Sequence, residues 1–193
     1  MNEETLSSVF FGEDITLDIY TDLKEFYTPA NGFSQLHLCR RYGKLHILKS
    51  LQPFYSSQEF YKQLLLKEFN IGYQLDHPNI RHTLGWEKND LLGNYIVLEY
   101  IDGIPLTTFI EQGKLTQPLA YKFITEICNA LQYIHSKQLI HKDLKPNNIL
   151  ITHNGNNVKL IDFGLADCDD YEILKIPAGT EKYLAPEQLN PKA

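Results

Sequence analysis

From about residue 23 to 51, apolar and polar positions alternate with a period of two, which predicts strands with one buried face. Leu36 and Leu38 alternate with Gln35 and His37, while Leu45, Ile47 and Lys49 share one face of the next run. Tyr42-Gly43-Lys44 reads as the hairpin turn between them. The period then changes. Ser56-Ser57-Gln58-Glu59 has capping-box spacing and predicts a helix to about Leu75, with an inward stripe of Leu64/Leu65, Glu68, Ile71/Gly72 and Leu75. Two charges therefore sit on apolar faces, Lys49 on a strand and Glu68 on a helix. Either alone is as easily a solvated surface residue; together they point to a buried ion pair.

His77-Pro78-Asn79 ends this helix, and strand-like runs follow around 81–86 and 95–100, separated by Lys88-Asn89-Asp90. Asp102-Gly103 is the expected boundary between two lobes. The chain thus divides into an acidic leader (1–22), a β-rich lobe with one helix (23–101) and a mainly helical lobe (102–193). In the second lobe Ala120, Ile124, Ile127, Leu131 and Ile134 recur at helical spacing, with Pro118 in the first turn. The helix leads into His141-Lys142-Asp143-Leu144-Lys145-Pro146-Asn147-Asn148, where the proline and asparagines specify a loop. The apolar runs 149–151 and 158–161 flank His153-Asn154-Gly155-Asn156-Asn157, a hairpin signal, and the second run delivers Asp162-Phe163-Gly164. The fold class is α+β and bilobal.

Composition narrows the function. The 193 residues are 43% hydrophobic and 12% aromatic, enough for one sizeable core or two small lobes. Net charge is −6, and no basic run is interleaved with aromatics, so nucleic acid is not an expected partner. Cys39, Cys128 and Cys168 are odd in number and widely spaced, with no zinc-like Cys/His pairing, which fits a reducing, cytoplasmic setting. The polar start carries no signal-peptide pattern, so none is expected, and no apolar window is long enough to span a bilayer.

The polar loop, held between an apolar helix and an apolar strand, suits a site on a rigid support. Asp143, Asn148 and Asp162 are oxygen donors that loop and hairpin bring together, and such donors suit Mg²⁺ beside phosphate oxygens. With Lys49 reaching over from the strand lobe and Lys145 nearby, the set fits phosphoryl transfer, in which a protein supplies positioning and charge.

These motifs resemble those of eukaryotic-type protein kinases over roughly residues 23 to 189. Residues 141–148 match the catalytic loop, Asp162-Phe163-Gly164 the metal-binding motif, and Ala185-Pro186-Glu187 the end of the activation segment. The resemblance implies ATP and Mg²⁺ as cofactors. It makes Asp143 the base, Lys145 the group on the transferred phosphate, and Asn148 and Asp162 the metal ligands. Lys49 takes the place of the strand lysine and Glu68 that of its helix partner. The backbone of Glu99 and Ile101 would bind adenine, with Leu36 and Leu150 also at the nucleotide site. Lys145 and Gly179-Thr180-Glu181-Lys182-Tyr183, with Thr180 bridging the catalytic Asp and Lys, imply a Ser/Thr acceptor on a protein substrate.

The sequence departs from that pattern in several places. Pro29, Asn31 and Ser34 stand at the three glycine positions of the phosphate loop, with Gly32 nearby and Phe33 at its tip. Ile47 replaces a small residue over adenine, Gly72 replaces a large apolar helix residue, and Lys142 replaces the Arg before the base. Between Asp162 and Thr180 the only hydroxyl is that of Tyr171, among Asp167, Asp169, Asp170 and Glu172, so activation by Ser/Thr phosphorylation of this loop is not expected. The chain ends six residues after Glu187, where the family continues through further helices. An exposed apolar patch on the 118–136 helix is therefore expected, with marginal stability unless a partner or further segment covers it. The competing readings are a pseudokinase-like binding module and an inactive truncated fragment.

Overall fold

In the computed structural model, residues 20–29, 32–166 and 180–186 are described. The residues before Tyr20, the loop position Asn31, Cys168, the acidic cluster around Tyr171, and Glu187 all lie outside them.

Five antiparallel strands form the first sheet: β1 (Thr21–Tyr27), β2 (Ser34–Arg41), β3 (Lys44–Leu51), β4 (Thr83–Asn89) and β5 (Gly93–Glu99), in spatial order β1-β2-β3-β5-β4. The β2–β3 register places Leu36 opposite Lys49 and Leu38 opposite Ile47, so the predicted apolar face is continuous across both strands. Ile47, Leu51, Ile96 and Leu98 on this face pack with Leu65 of helix α1 (Glu59–Tyr73), and Phe69 of α1 meets Trp86 of β4. Each such aliphatic side chain contributes about 1.5–3 kcal/mol of burial, and it is this packing that sets α1 against the sheet.

The helix does not start with a capping box. Its N-cap is Gln58, in extended conformation and without a side-chain cap bond. Ser56 lies in the preceding series of turns, and its hydroxyl donates to Pro53 O (2.8 Å). The inward stripe is as expected, with Leu64, Leu65, Glu68, Ile71, Gly72 and Leu75 all buried, and Lys67 buried as well.

The second sheet, β6 (Gly103–Pro105), β7 (Ile149–Thr152) and β8 (Val158–Leu160), is also antiparallel and packs with α2 (Leu106–Glu111) and α3 (Gln117–Ser136). The buried face of α3 is Phe123, Ala130 and Ile134, with Ile127 and Leu131 partly covered. Ile124, placed on the inward stripe by its spacing, is instead 60% exposed, as are Tyr121 (65%) and Ile140 (57%). The residues turned to the core are Phe123, Ile127, Ala130 and Ile134, again at steps of four and three, and this stripe leaves Ile124 outside it.

The sheets meet through the 77–81 connector. Arg81 N donates to Leu160 O (2.9 Å), Leu160 N to Asn79 O (2.7 Å), and the Asn79 side chain to Val158 O (2.9 Å). Among the described residues no helix is long and apolar enough to cross a membrane.

Candidate active site

Lys49 leaves β3 on the face that carries Ile47 and Leu51, and meets Glu68 from the buried stripe of α1. Lys49 Nζ lies 2.6 Å from Glu68 Oε1 and 3.0 Å from Asp162 Oδ1. The Lys49 and Glu68 side chains are 7% and 6% exposed, whereas that of Asp162 is 43% exposed, so the triad opens to solvent on the Asp162 side. Burial disfavours the Lys49 ammonium, but Asp162 and Glu68 outweigh it and raise its pKa. Lys49, opposed by burial, holds the Asp162 carboxyl well below the usual range. Burial raises the Glu68 carboxyl above its usual range against the pull of Lys49. Its Oε2 has no hydrogen-bond partner among the described residues. A Cβ on Gly164 would sit 3.1 Å from that oxygen, which keeps this position small.

The loop supplies a second cluster. Asp143 Oδ1 accepts from the Thr180 N–H (3.0 Å) and the Thr180 hydroxyl (2.9 Å). Its Oδ2 meets Lys145 Nζ at 2.7 Å and accepts from Asn148 Nδ2 at 2.9 Å. Lys145 Nζ also donates to Thr180 Oγ1 (2.6 Å), so Thr180 bridges Asp143 and Lys145. Asn148 Nδ2 donates a further bond to Asp143 O (2.9 Å), which locks the loop onto itself. A cavity of about 170 Å³ beside this cluster is lined by Thr107, Lys145, Pro146, Asn147, Thr180 and Tyr183.

Backbone bonding joins the clusters: Ile161 N donates to Asn148 O (2.9 Å), which sets Asp162 beside the loop. Between them lies His141, buried, with its ring 4.9 Å from that of Phe163. Burial lowers the His141 pKa against the opposing charge of Asp162 and Asp143. Lys142 (φ 61°) and Asp162 (φ 66°) adopt left-handed backbone conformations. For residues with a Cβ these cost roughly 1–2 kcal/mol, and such strain concentrates at functional sites.

The residues fit Mg²⁺. Both N–H groups of the Asn148 amide are engaged by Asp143, which leaves Oδ1 as an acceptor. Asp162 Oδ1 takes Lys49 and the Gly164 N–H (3.3 Å), leaving Oδ2. Two such hard oxygens with phosphate oxygens make a suitable donor set.

The expected nucleotide-side residues come from both sheets and the segment between them. Leu36 is opposite Lys49 in the sheet, and Ile101 is buried just after β5. Leu150 is partly exposed on β7, opposite Pro105. The Glu99 side chain accepts from His82 N (3.0 Å) and pairs with Lys159 of β8 (3.3 Å), tying the end of β5 to the second sheet. That strut was not anticipated, although Lys159 is a charge beside an apolar run. At Gly72, a Cβ would fall 2.4 Å from Thr83 Oγ1: the space left by the missing side chain is filled from β4.

Residues 32–193 match the protein kinase domain family. Calcium-dependent protein kinase 5 of Plasmodium falciparum is 41% identical over 133 residues, covering 66% of this chain and 23% of that protein. Serine/threonine-protein kinase RUNKEL of Arabidopsis thaliana is 40% identical over 131 residues, covering 65% and 9%. Myosin light chain kinase family member 4 of Homo sapiens is 36% identical over 178 residues, covering 89% and 45%. The chain spans less than half the length of each of these relatives. With the match extending over most of its residues, the chain belongs to the protein kinase family.

Proposed function

We propose that the chain is a protein serine/threonine kinase domain that transfers the γ-phosphate of ATP to Ser or Thr hydroxyls of protein substrates. The observation that carries this is the Asp143–Lys145–Thr180 cluster lying against the Lys49–Glu68–Asp162 triad. Lys49, fixed by Glu68, orients the α- and β-phosphates. Asp162 and Asn148 hold Mg²⁺, which supplies charge neutralisation on the phosphate oxygens. The acceptor oxygen attacks the γ-phosphorus as the bond to the ADP oxygen breaks, and Asp143 takes the acceptor proton. Lys145, already 2.7 Å from Asp143, stabilises charge on the transferred group. The acceptor preference is supported by Lys145 and Thr180, and by the serine/threonine kinase among the relatives.

The test is γ-phosphate transfer to a generic protein acceptor, comparing the chain with Asp143→Asn. Loss of the base should lower transfer by about 10²–10⁴-fold. Equal, background-level transfer by both proteins would favour the pseudokinase-like binding module, a reading that draws on Pro29 and Ser34 at glycine positions and on buried Ile47.

A further inference from the structure

The turn between β1 and β2 lacks glycine at the positions where a phosphate-binding turn gains its freedom, yet its described backbone is held at several points. Carbonyls outside a ladder need partners, and Gln52, the first residue after β3, supplies them. Its Nε2 lies 2.8 Å from Gly32 O, 3.1 Å from Pro29 O and 3.4 Å from Ser34 O. An amide nitrogen carries two N–H groups, so the first two bonds are the principal ones and Ser34 O shares. The Gln52 backbone N–H donates to Phe33 O (2.8 Å), which extends the ladder one step beyond the Ser34–Leu51 pair.

Gln52 is itself fixed. Its carbonyl accepts from Tyr55 N (2.9 Å) and Ser56 N (3.1 Å) at the base of the turns that lead into α1. The Phe33 ring packs on Tyr61 of α1 at 5.4 Å, and Tyr61 on Tyr55 at 4.6 Å. The turn is thereby tied to the helix that carries Glu68, and Ser34 stands two residues from Leu36, the partner of Lys49 across the sheet.

We propose that Gln52 is a positioning residue for the phosphate end of the nucleotide: its side-chain amide holds the carbonyls of Pro29 and Gly32, with Ser34 sharing, in a fixed place relative to Lys49. The inference rests on the nucleotide reading above. It confines the effect of Gln52 to phosphate contacts and leaves the adenine end, at Glu99 and Ile101, untouched.

The test is the affinity of the chain and of Gln52→Met for ATP with Mg²⁺ and, separately, for adenosine. Methionine keeps the length of the side chain and removes both donors. Losing two such bonds should weaken ATP binding about tenfold, with adenosine binding unchanged. Unchanged ATP affinity in Gln52→Met overturns the proposal, and so does a parallel loss of ATP and adenosine binding, which would mark Gln52 as a general support of the fold. A parent chain that binds neither ligand overturns the nucleotide reading and this inference with it.

Discussion

Lys49, Glu68 and Asp162 come from three elements far apart in sequence, whereas Asp143, Lys145 and Asn148 fall within six consecutive residues of one loop. The first cluster is held by burial and charge: two of its members, Lys49 and Glu68, are almost fully enclosed and 2.6 Å apart. The second is held by hydrogen bonds within the loop to Asp143 O and Oδ2, while Oδ1 accepts from the distant residue Thr180. A dispersed buried cluster makes the position of its charges depend on the packing of both sheet and helix. A local cluster carries its geometry with it and needs only an anchor at each end.

The largest expected effect of breaking this contrast is at Lys49. Lys49→Met leaves Glu68 buried without its cation and should destabilise the protein by about 3–5 kcal/mol, read by chemical denaturation. Lys49→Met combined with Glu68→Leu should recover most of that loss, because an apolar pair of similar volume needs no compensation. If the double variant is as unstable as the single one, the triad is not held as a coupled pair.

Thr180→Val sharpens the other side. It removes the hydroxyl shared by Asp143 and Lys145 but leaves the backbone N–H, so transfer should fall roughly tenfold with stability changed by less than about 1 kcal/mol. A stability loss as large as that at Lys49 would show that the loop cluster, too, depends on the wider fold.

The smallest effect concerns His141 between the clusters. Burial lowers its pKa even though Asp162 and Asp143 oppose the shift. The unfolded chain therefore takes up this proton near pH 6.5, before the folded one does, and stability should fall as pH drops from about 7 toward 5. His141→Phe, which keeps a ring against Phe163, should flatten that slope in a pH series of denaturation midpoints.

The same contrast explains what the sequence makes legible. Asp143, Lys145 and Asn148 are readable because a proline and two asparagines mark their loop, and among the described residues their side chains pair with one another and with Thr180. Lys49 and Glu68 are readable because each is a charge on an otherwise apolar face. The role of Gln52 is not, because its partners are backbone carbonyls 18 to 23 residues back, and a carbonyl leaves no mark on residue type. The Glu99–Lys159 strut is hidden for a related reason: both are ordinary surface residue types until the 77–81 connector brings the sheets together. On α3, a stripe starting at Ala120 and one starting at Phe123 share the same spacing, so Ile124 reads as core and stands in solvent.

The most direct measurement is ATP·Mg²⁺ affinity and γ-phosphate transfer taken side by side on the chain, Lys49→Met and Asp143→Asn. The expected result is a separation of roles: Asp143→Asn binds ATP as the parent does but transfers phosphate about 10²–10⁴-fold more slowly, while Lys49→Met loses both. Transfer by Asp143→Asn at the parent rate, or unaltered ATP binding by Lys49→Met, would contradict the assignment of nucleotide to the buried triad and chemistry to the loop.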